Sequence, residues 1–285
     1  MAVINQDAHG GAADQSRPIG VFDSGIGGLT VVSALRTLLP NESIFYLGDT
    51  ARVPYGGKSA ATVQRYSLEI AAMLLSENAK TVVVACNTAS AVALSQLTAA
   101  LPVTVTGVIQ PGAQAAIAVT RNGHVGVIGT RATINSGAYE RALRLLDPKV
   151  RVSARACPLL VPLIEEGWLQ TAITDEIIMQ YVSPLVNDGI DTLVLGCTHY
   201  PLLREAMARL LGDRITLVDS AQNCANAVRE LLLRENLCAA GPDAGRLQVA
   251  LTDQPDNFLR VAREALQLDV GEVQVREVSP HLKAT

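Results

Sequence analysis

The 285-residue chain contains 49% hydrophobic and 18% charged residues, a balance typical of a globular protein and unlike that of a disordered one. Its formal net charge of −4 and its 4% of aromatic residues argue against nucleic acid or an anionic membrane surface as a partner. No apolar run reaches the roughly 18 residues that a membrane-spanning helix needs, so no membrane association is expected.

The N-terminus and the cysteines indicate where the protein works. The first 16 residues are small and polar, lack the basic start and apolar stretch of a signal peptide, and are predicted to form a disordered tail. The five cysteines are scattered along the chain: Cys86, Cys157, Cys197, Cys224 and Cys238. An odd, scattered set predicts reduced thiols in a cytoplasmic protein and not a disulfide framework.

Short apolar runs alternate with helical patterns in the first part of the chain. The runs that read as buried parallel strands cover residues 19–23, 43–49, 81–87 and 103–109. Between them, helical period and propensity predict helices over 29–39, 61–79 and 88–100. Strand–helix alternation of this kind predicts an α/β fold with a mainly parallel sheet flanked by helices.

The same pattern then repeats. Four more strands are predicted over 124–130, 150–157, 192–198 and 215–220. Helices are predicted between them, including 132–146 and 173–186. Because the four strands recur in one order at a nearly constant offset, the chain is expected to contain two similar, pseudo-symmetric halves.

The segment after Ser220 adds a C-terminal tail. It is predicted to contain a helix over 221–236, a strand over 247–252, a helix over 255–268 and a final strand over 272–278. This tail is too small to build a core of its own, so we expect it to pack on one of the two halves.

Functional residues in parallel sheets gather just beyond the carboxyl ends of the strands. The glycine-rich segment DSGIGG (23–28) lies at such a position but matches neither GxGxxG nor a P-loop. Its glycines are therefore interpreted as a tight turn that brings a helix close to the sheet, and less readily as an anion cradle. Asp23 needs a partner, because a carboxylate at the end of an apolar strand is costly to bury alone.

Two cysteines lie at matching strand ends in the two halves. Cys86 is followed by Asn87 and Thr88, and Cys197 is followed by Thr198 and His199. A lone cysteine at a strand end is usually a small buried hydrophobe. A matched pair, each followed by groups that can bind a carboxylate or an ammonium, indicates chemistry instead. The other three cysteines lack such neighbours and are interpreted as structural.

Several uses of these thiols remain open from the residues alone. Cys86, Cys197 and His199 are an alternative zinc ligand set, although the chain has no CxxC motif. A hydrolase with His199 as base leaves the second thiol without a role, and redox exchange requires that the thiols touch. Inversion at an amino-acid α-carbon needs two acid–base groups on opposite faces of the substrate, which two halves closing on a cleft supply.

A cofactor is not expected. Pyridoxal phosphate requires a Schiff-base lysine, and none of the four lysines lies at a predicted strand end in a site-like setting. No metal is expected either. A free thiol is a modest base near neutral pH, so nearby groups must adjust it, and Asp23 and His199 are the local candidates.

At these positions the sequence resembles the aspartate/glutamate racemase family, and within it the glutamate racemases of bacteria. The combination of DSGxGG, CNTAS and GCTHYPLL in that order is highly specific. The matching segments are 19–31, 46–56, 83–91, 126–139, 160–167 and 193–203.

The resemblance implies two similar α/β domains with the active site in the cleft between them. The first would comprise 17–109 with 223–285, and the second 110–222. Cys86 would remove the α-proton of D-glutamate, assisted by Asp23, and Cys197 that of L-glutamate, assisted by His199. Substrate contacts are implied for Asp23, Ser24, Tyr55, Gly56, Asn87, Thr88, Thr130, Thr133, Thr198 and His199.

Some implied roles have alternatives. Thr130 and Thr133 are candidates for binding the side-chain carboxylate of the substrate, with helix capping as the alternative. Glu165 and Glu166 are expected to be a solvated pair near a turn, or alternatively one of them lies behind the site. The implied product, D-glutamate, is a precursor of bacterial peptidoglycan. An aspartate racemase and an amino-acid-binding protein that closes on its ligand are the competing functions, and a homodimer is left open.

Overall fold

The computed structural model describes residues 12–241, 243–253 and 257–278. Within them, parallel strands form two sheets that are flanked by helices. The strands are β1 (Ile19–Asp23), β2 (Ile44–Gly48), β3 (Thr81–Val84), β4 (Val105–Gly107), β5 (His124–Gly129), β6 (Arg151–Ala156), β7 (Thr192–Gly196), β8 (Thr216–Asp219), β9 (Leu247–Leu251) and β10 (Val273–Val275). The α-helices are α1 (Ala12–Gln15), α2 (Leu29–Leu38), α3 (Ala60–Ser76), α4 (Asn87–Val92), α5 (Leu94–Ala100), α6 (Ile109–Val119), α7 (Arg131–Asn135), α8 (Ala138–Leu146), α9 (Leu160–Glu165), α10 (Ala172–Asn187), α11 (Arg204–Leu211), α12 (Ser220–Arg234) and α13 (Asn257–Arg260).

The two sheets repeat one strand order. The first runs β10-β9-β2-β1-β3-β4, and the second runs β6-β5-β7-β8, with every pairing parallel. In each half the first strand lies between the second and the third, and the fourth lies beyond the third. The predicted α/β fold with two similar halves is therefore confirmed.

Burial explains the apolar strands. Every residue of β1, β2, β3 and β7 is buried, as expected for parallel strands covered by helices on both faces. Val31 and Leu35 of α2 pack with Val228 of α12 on one face of the first sheet. Val63 and Ile70 of α3 pack on its other face. The apolar stripes of the helices thus hold the strand ends in fixed positions.

The C-terminal segment returns to the first sheet. β9 pairs with β2, and β10 pairs with β9. Between these strands, Phe258 is fully buried in the core of the first half. The tail therefore packs on one of the two halves, as expected. The domain limits at 109/110 and 222/223 stay a prediction.

The N-terminal region is described from residue 12 onward. The disordered tail predicted over 1–16 lies largely outside the described residues, while its end contains α1. The carbonyl of Gln15 accepts a hydrogen bond from Lys80 Nζ at 2.8 Å, and the same ammonium pairs with buried Glu42. Within the described part of the chain, no helix has the length and hydropathy to cross a membrane.

Candidate active site

A cavity of about 280 Å³ lies between the two halves at the carboxyl ends of their strands. Its size fits a small molecule such as an amino acid. Ten of the residues predicted from the sequence line it: Ser24, Tyr55, Gly56, Cys86, Asn87, Thr88, Thr130, Cys197, Thr198 and His199. Asp23 and Thr133 lie directly behind the lining residues.

Cys86 caps the N-terminus of α4. Its Sγ accepts a hydrogen bond from the Ala89 amide at 3.5 Å and lies 3.9 Å from Ser24 Oγ. Burial raises the pKa of the Cys86 thiol well above its usual value, and the nearby charge of Asp23 raises it further, against the lowering effect of the Ala89 amide. Cys86 is therefore held as a thiol that can donate a proton.

Asp23 connects the two halves beneath the cavity. It ends β1, is fully buried, and accepts hydrogen bonds from the Gly25 amide at 3.1 Å and from Thr198 Oγ1 at 3.4 Å. These donors offset the cost of burying the carboxylate, so Asp23 has the partners that the sequence analysis expected.

Cys197 follows β7 and belongs to a chain of polar contacts. Its Sγ lies 3.9 Å from Nδ1 of His199, whose Nε2 lies 3.1 Å from Glu165 Oε1 at the end of α9. Burial lowers the pKa of His199, but the contacts with Cys197 and Glu165 outweigh it and raise the pKa to about 10. The cationic imidazole thus lies between the Cys197 sulfur and the Glu165 carboxylate.

Glu165 is the functional neighbour that sequence reasoning did not place. Its side chain is 32% exposed and faces His199, whereas Glu166 is exposed. The two glutamates therefore differ: Glu165 lines the cavity beside His199, and Glu166 lies outside its lining. No local pattern signals this contact, because the two partners lie on separate elements.

Three threonine hydroxyls form a cluster across the two halves. Thr88 Oγ1 lies 3.0 Å from Thr130 Oγ1 and 3.2 Å from Thr133 Oγ1, and the latter two lie 3.0 Å apart. Thr130 also caps α7 by accepting a hydrogen bond from the Thr133 amide. Thr130 therefore both caps α7 and lines the cavity.

The amide of Asn87 is held from the second half. Its Oδ1 accepts a hydrogen bond from the Tyr139 hydroxyl at 2.7 Å, and its Nδ2 donates to Ser220 Oγ at 3.3 Å. With both ends engaged, the side chain has a fixed orientation where it lines the cavity.

The segment around Tyr55 supplies a second wall. The Tyr55 hydroxyl donates to the carboxylate of Asp49, so this hydroxyl is engaged away from a substrate. Gly56 lies so close to Thr130 that a Cβ on it would be 2.6 Å from the threonine Cβ. The absence of a side chain at Gly56 thus lets the two halves approach each other here.

The DSGIGG glycines provide space. None of them has positive φ, and Gly27 and Gly28 form the expected turn, in which the Leu29 amide donates to the Ile26 carbonyl at 3.1 Å. A Cβ on Gly27 would lie 2.3 Å from Thr198 Oγ1 and 2.4 Å from His199 Nδ1. A Cβ on Gly28 would lie 2.4 Å from Asp23 Cβ. The loop therefore makes room for Thr198 and His199 of the opposite half.

The remaining cysteines lie outside the cavity lining. Burial raises the pKa of Cys157 and of Cys224 to about 12, and Cys238 is half-buried. Across the described residues, no group of three His, Cys, Asp or Glu side chains is arranged to hold a metal ion.

Sequence reasoning missed Arg131, whose exposed side chain reaches the cavity, and the apolar wall of Pro158, Val161 and Pro162.

The sequence profile of the Asp/Glu/Hydantoin racemase family matches residues 29–228, which include both cavity cysteines. The chain belongs to this family. Family membership accords with the repeated strand order and with the position of the cavity between two similar halves.

Individual racemases are similar over nearly the whole chain. The glutamate racemase of Geobacter metallireducens is 49% identical over 257 residues, which cover 90% of this chain and 95% of that protein. The crystal structure of a glutamate racemase from Bacillus anthracis superposes with a TM-score of 0.87 at 40% identity, covering 93% of this chain and 98% of the other. A glutamate racemase from Francisella tularensis, solved in complex with D-glutamate, gives 0.88 at 36% identity, covering 94% and 100%.

Proposed function

We propose that this protein interconverts L- and D-glutamate by acid–base catalysis with two thiols and no cofactor. The observation that carries the proposal is that each half contributes one cysteine, Cys86 or Cys197, to the same small cavity. The similarity to glutamate racemases supports glutamate as the substrate, and the Francisella tularensis relative was solved with D-glutamate.

The reaction would use the two thiols in opposite roles. With L-glutamate bound, the Cys197 thiolate takes the α-proton, and the Cys86 thiol gives its proton to the opposite face of the carbanion. The reaction of D-glutamate starts from the opposite protonation state, in which Cys86 has lost its proton and takes the α-proton while the Cys197 thiol returns one. The two thiols exchange roles in each turnover, so their protons must re-equilibrate with solvent before the next molecule of the same enantiomer reacts.

The groups around the two thiols have separate supporting roles. His199, cationic at neutral pH, lies 3.9 Å from the Cys197 sulfur, while burial and the charge of Asp23 keep Cys86 protonated and ready to donate. Polar groups of Asn87, Thr88 and Thr198 line the cavity where the substrate carboxylates would lie. Fixed dipoles of this kind stabilise the charge that develops when the α-proton leaves.

A cofactor-free mechanism fits the lining of the cavity, which contains no lysine among the described residues that could hold pyridoxal phosphate. We further propose that the protein acts in the cytoplasm and supplies D-glutamate for peptidoglycan. Its five thiols, kept reduced, suit that compartment.

Circular dichroism of each glutamate enantiomer, incubated with the purified protein and chelator but without added cofactor, tests this function. The signals from both enantiomers should decay to zero, because the equilibrium constant of a racemisation is unity. Aspartate should react far more slowly, since a shorter acid leaves groups at one end of the cavity unpaired. Equal rates with aspartate would contradict the substrate, and activity that appears only after zinc or pyridoxal phosphate is added would contradict the mechanism.

A further inference from the structure

The C-terminal end of α9 has a defined cap. Trp168 donates its amide to the Leu163 carbonyl at 2.8 Å, and Gly167, at φ 80°, donates to the Ile164 carbonyl at 2.9 Å. This is a Schellman arrangement, in which a left-handed glycine closes the helix. It satisfies the carbonyls of residues 163 and 164, and the carbonyls of Glu165 and Glu166 follow at the end of the helix.

Arg260 supplies donors to those two carbonyls. Its Nη2 donates to the Glu165 carbonyl at 2.7 Å, and its Nη1 lies 3.4 Å from the Glu166 carbonyl. A guanidinium offers two donors in a rigid fork, and a cation at a helix C-terminus also complements the helix dipole. Lysine, with a single ammonium, cannot reproduce this geometry.

The contact crosses between the two halves. Arg260 ends α13, in the segment that lies between β9 and β10 of the first sheet, whereas α9 belongs to the second half. The guanidinium packs directly on Gly167, where a Cβ would lie 2.4 Å from Arg260 Nη1 and would displace it. The same glycine therefore closes the helix and admits the arginine.

We propose that Arg260 is a positioning residue for the Cys197 side of the site. It fixes the backbone of Glu165, whose carboxylate lies 3.1 Å from His199 Nε2, and His199 in turn lies 3.9 Å from Cys197 Sγ. The C-terminal segment thereby aligns one of the two thiols and not the other. This inference rests on the two-thiol function proposed above.

Elimination from 3-chloroglutamate separates the two thiols. When a base removes the α-proton, the electron pair of the broken C–H bond expels chloride from the adjacent carbon. The resulting enamine is hydrolysed by water to a keto acid and ammonium. A single base suffices, so chloride release from the L-isomer reports on Cys197 and release from the D-isomer reports on Cys86.

The experiment compares Arg260→Met and Arg260→Lys with the parent protein. In Arg260→Met, kcat for chloride release from the L-isomer should fall about tenfold, because a small displacement of a catalytic group is expensive, while release from the D-isomer should change less than about twofold. For Arg260→Lys, kcat for chloride release from the L-isomer should lie between the values of Arg260→Met and the parent protein. Arg263→Met, at an exposed position in the same segment, is the matched control and should leave both rates unchanged.

The outcomes distinguish the two proposals. Equal loss with both isomers, or no loss with either, would overturn the role of Arg260 while leaving the two-thiol function intact. A Tm recorded for each variant identifies general destabilisation, which would lower both rates together. If the parent protein released chloride from neither isomer, the proposed function itself would fail, and the inference would fail with it.

Discussion

The protonation of His199 links burial to chemistry at the scale of a single residue. Burial is the largest effect on its pKa and lowers it, yet the contacts with Cys197 and Glu165 together raise it to about 10. Because the folded pKa lies above the ordinary value of about 6.5, the stabilisation is fully present below that pH and is lost as the pH rises through about 10.

Glu165→Gln should lower the pKa of His199, because the amide removes the charge that favours the imidazolium. The pH titration of the His199 ring signals by NMR measures this directly. Glu166→Gln changes a neighbouring exposed residue and should leave the titration unchanged. If both substitutions moved the midpoint equally, or neither did, the contact between Glu165 and His199 would not set the protonation state.

The residues of the site differ in how far the sequence reveals them. Cys86 and Cys197 could be found because matched positions after two strands, each followed by polar groups, leave a repeated local pattern. Glu165 could not be assigned to His199, because the contact depends on how α9 packs beside the segment after β7. The role of Arg260 is even harder to predict from the sequence, since its contact with α9 requires the C-terminal segment to reach the other half.

The glycine loop before α2 packs closely against the segment after β7. Gly27→Ala would bring a Cβ within 2.3 Å of Thr198 Oγ1 and 2.4 Å of His199 Nδ1. We expect kcat for racemisation to fall by about tenfold or more, because the displaced segment carries Cys197.

Steady-state kinetics with both glutamate enantiomers measure the loss from Gly27→Ala. The control is Gly112→Ala in α6, where a new Cβ meets Tyr139 only at 3.4 Å or more, an ordinary contact distance. Normal kcat in Gly27→Ala would show that the close packing seen here does not position the thiol.

The sequence predicted the strands well and the helices less well. Apolar runs locate the strands because buried parallel strands are apolar on both faces. The helix predicted over 88–100 is divided at Ala93, where no proline or glycine signals a break. The helix over 132–146 is divided at Gly137, whose φ of 64° a serine–glycine pair could have indicated. α6 was not predicted because its first residue, Ile109, closes the apolar run read as a strand.

The whole molecule depends on its C-terminal segment as part of the first core. Phe258 is 0% exposed and packs with residues of α2 and α12. Phe258→Ala should lower the free energy of unfolding by about 3–5 kcal/mol, through lost burial and the cavity left behind. Val275→Ala, at a position 55% exposed in the same segment, should change it far less.

Urea denaturation followed by circular dichroism measures both changes. Equal, small effects of Phe258→Ala and Val275→Ala would contradict the assignment of this segment to the core. The similarity of the two halves was predictable from the nearly constant offset of the apolar runs. The attachment of β9 to β2 was not derivable from that spacing, because it joins residues some 200 positions apart in the chain.

The central claim is that each half contributes one base, on opposite faces of the substrate. Chloride release from L- and D-3-chloroglutamate by Cys86→Ser and Cys197→Ser tests it most directly, because a hydroxyl is a far weaker base than a thiol. Both variants should lose racemisation, Cys86→Ser should retain release from the L-isomer, and Cys197→Ser should retain release from the D-isomer. Cys157→Ser, outside the cavity lining, should resemble the parent. Loss of the same isomer in both variants, or normal racemisation in either, would contradict the two-thiol mechanism.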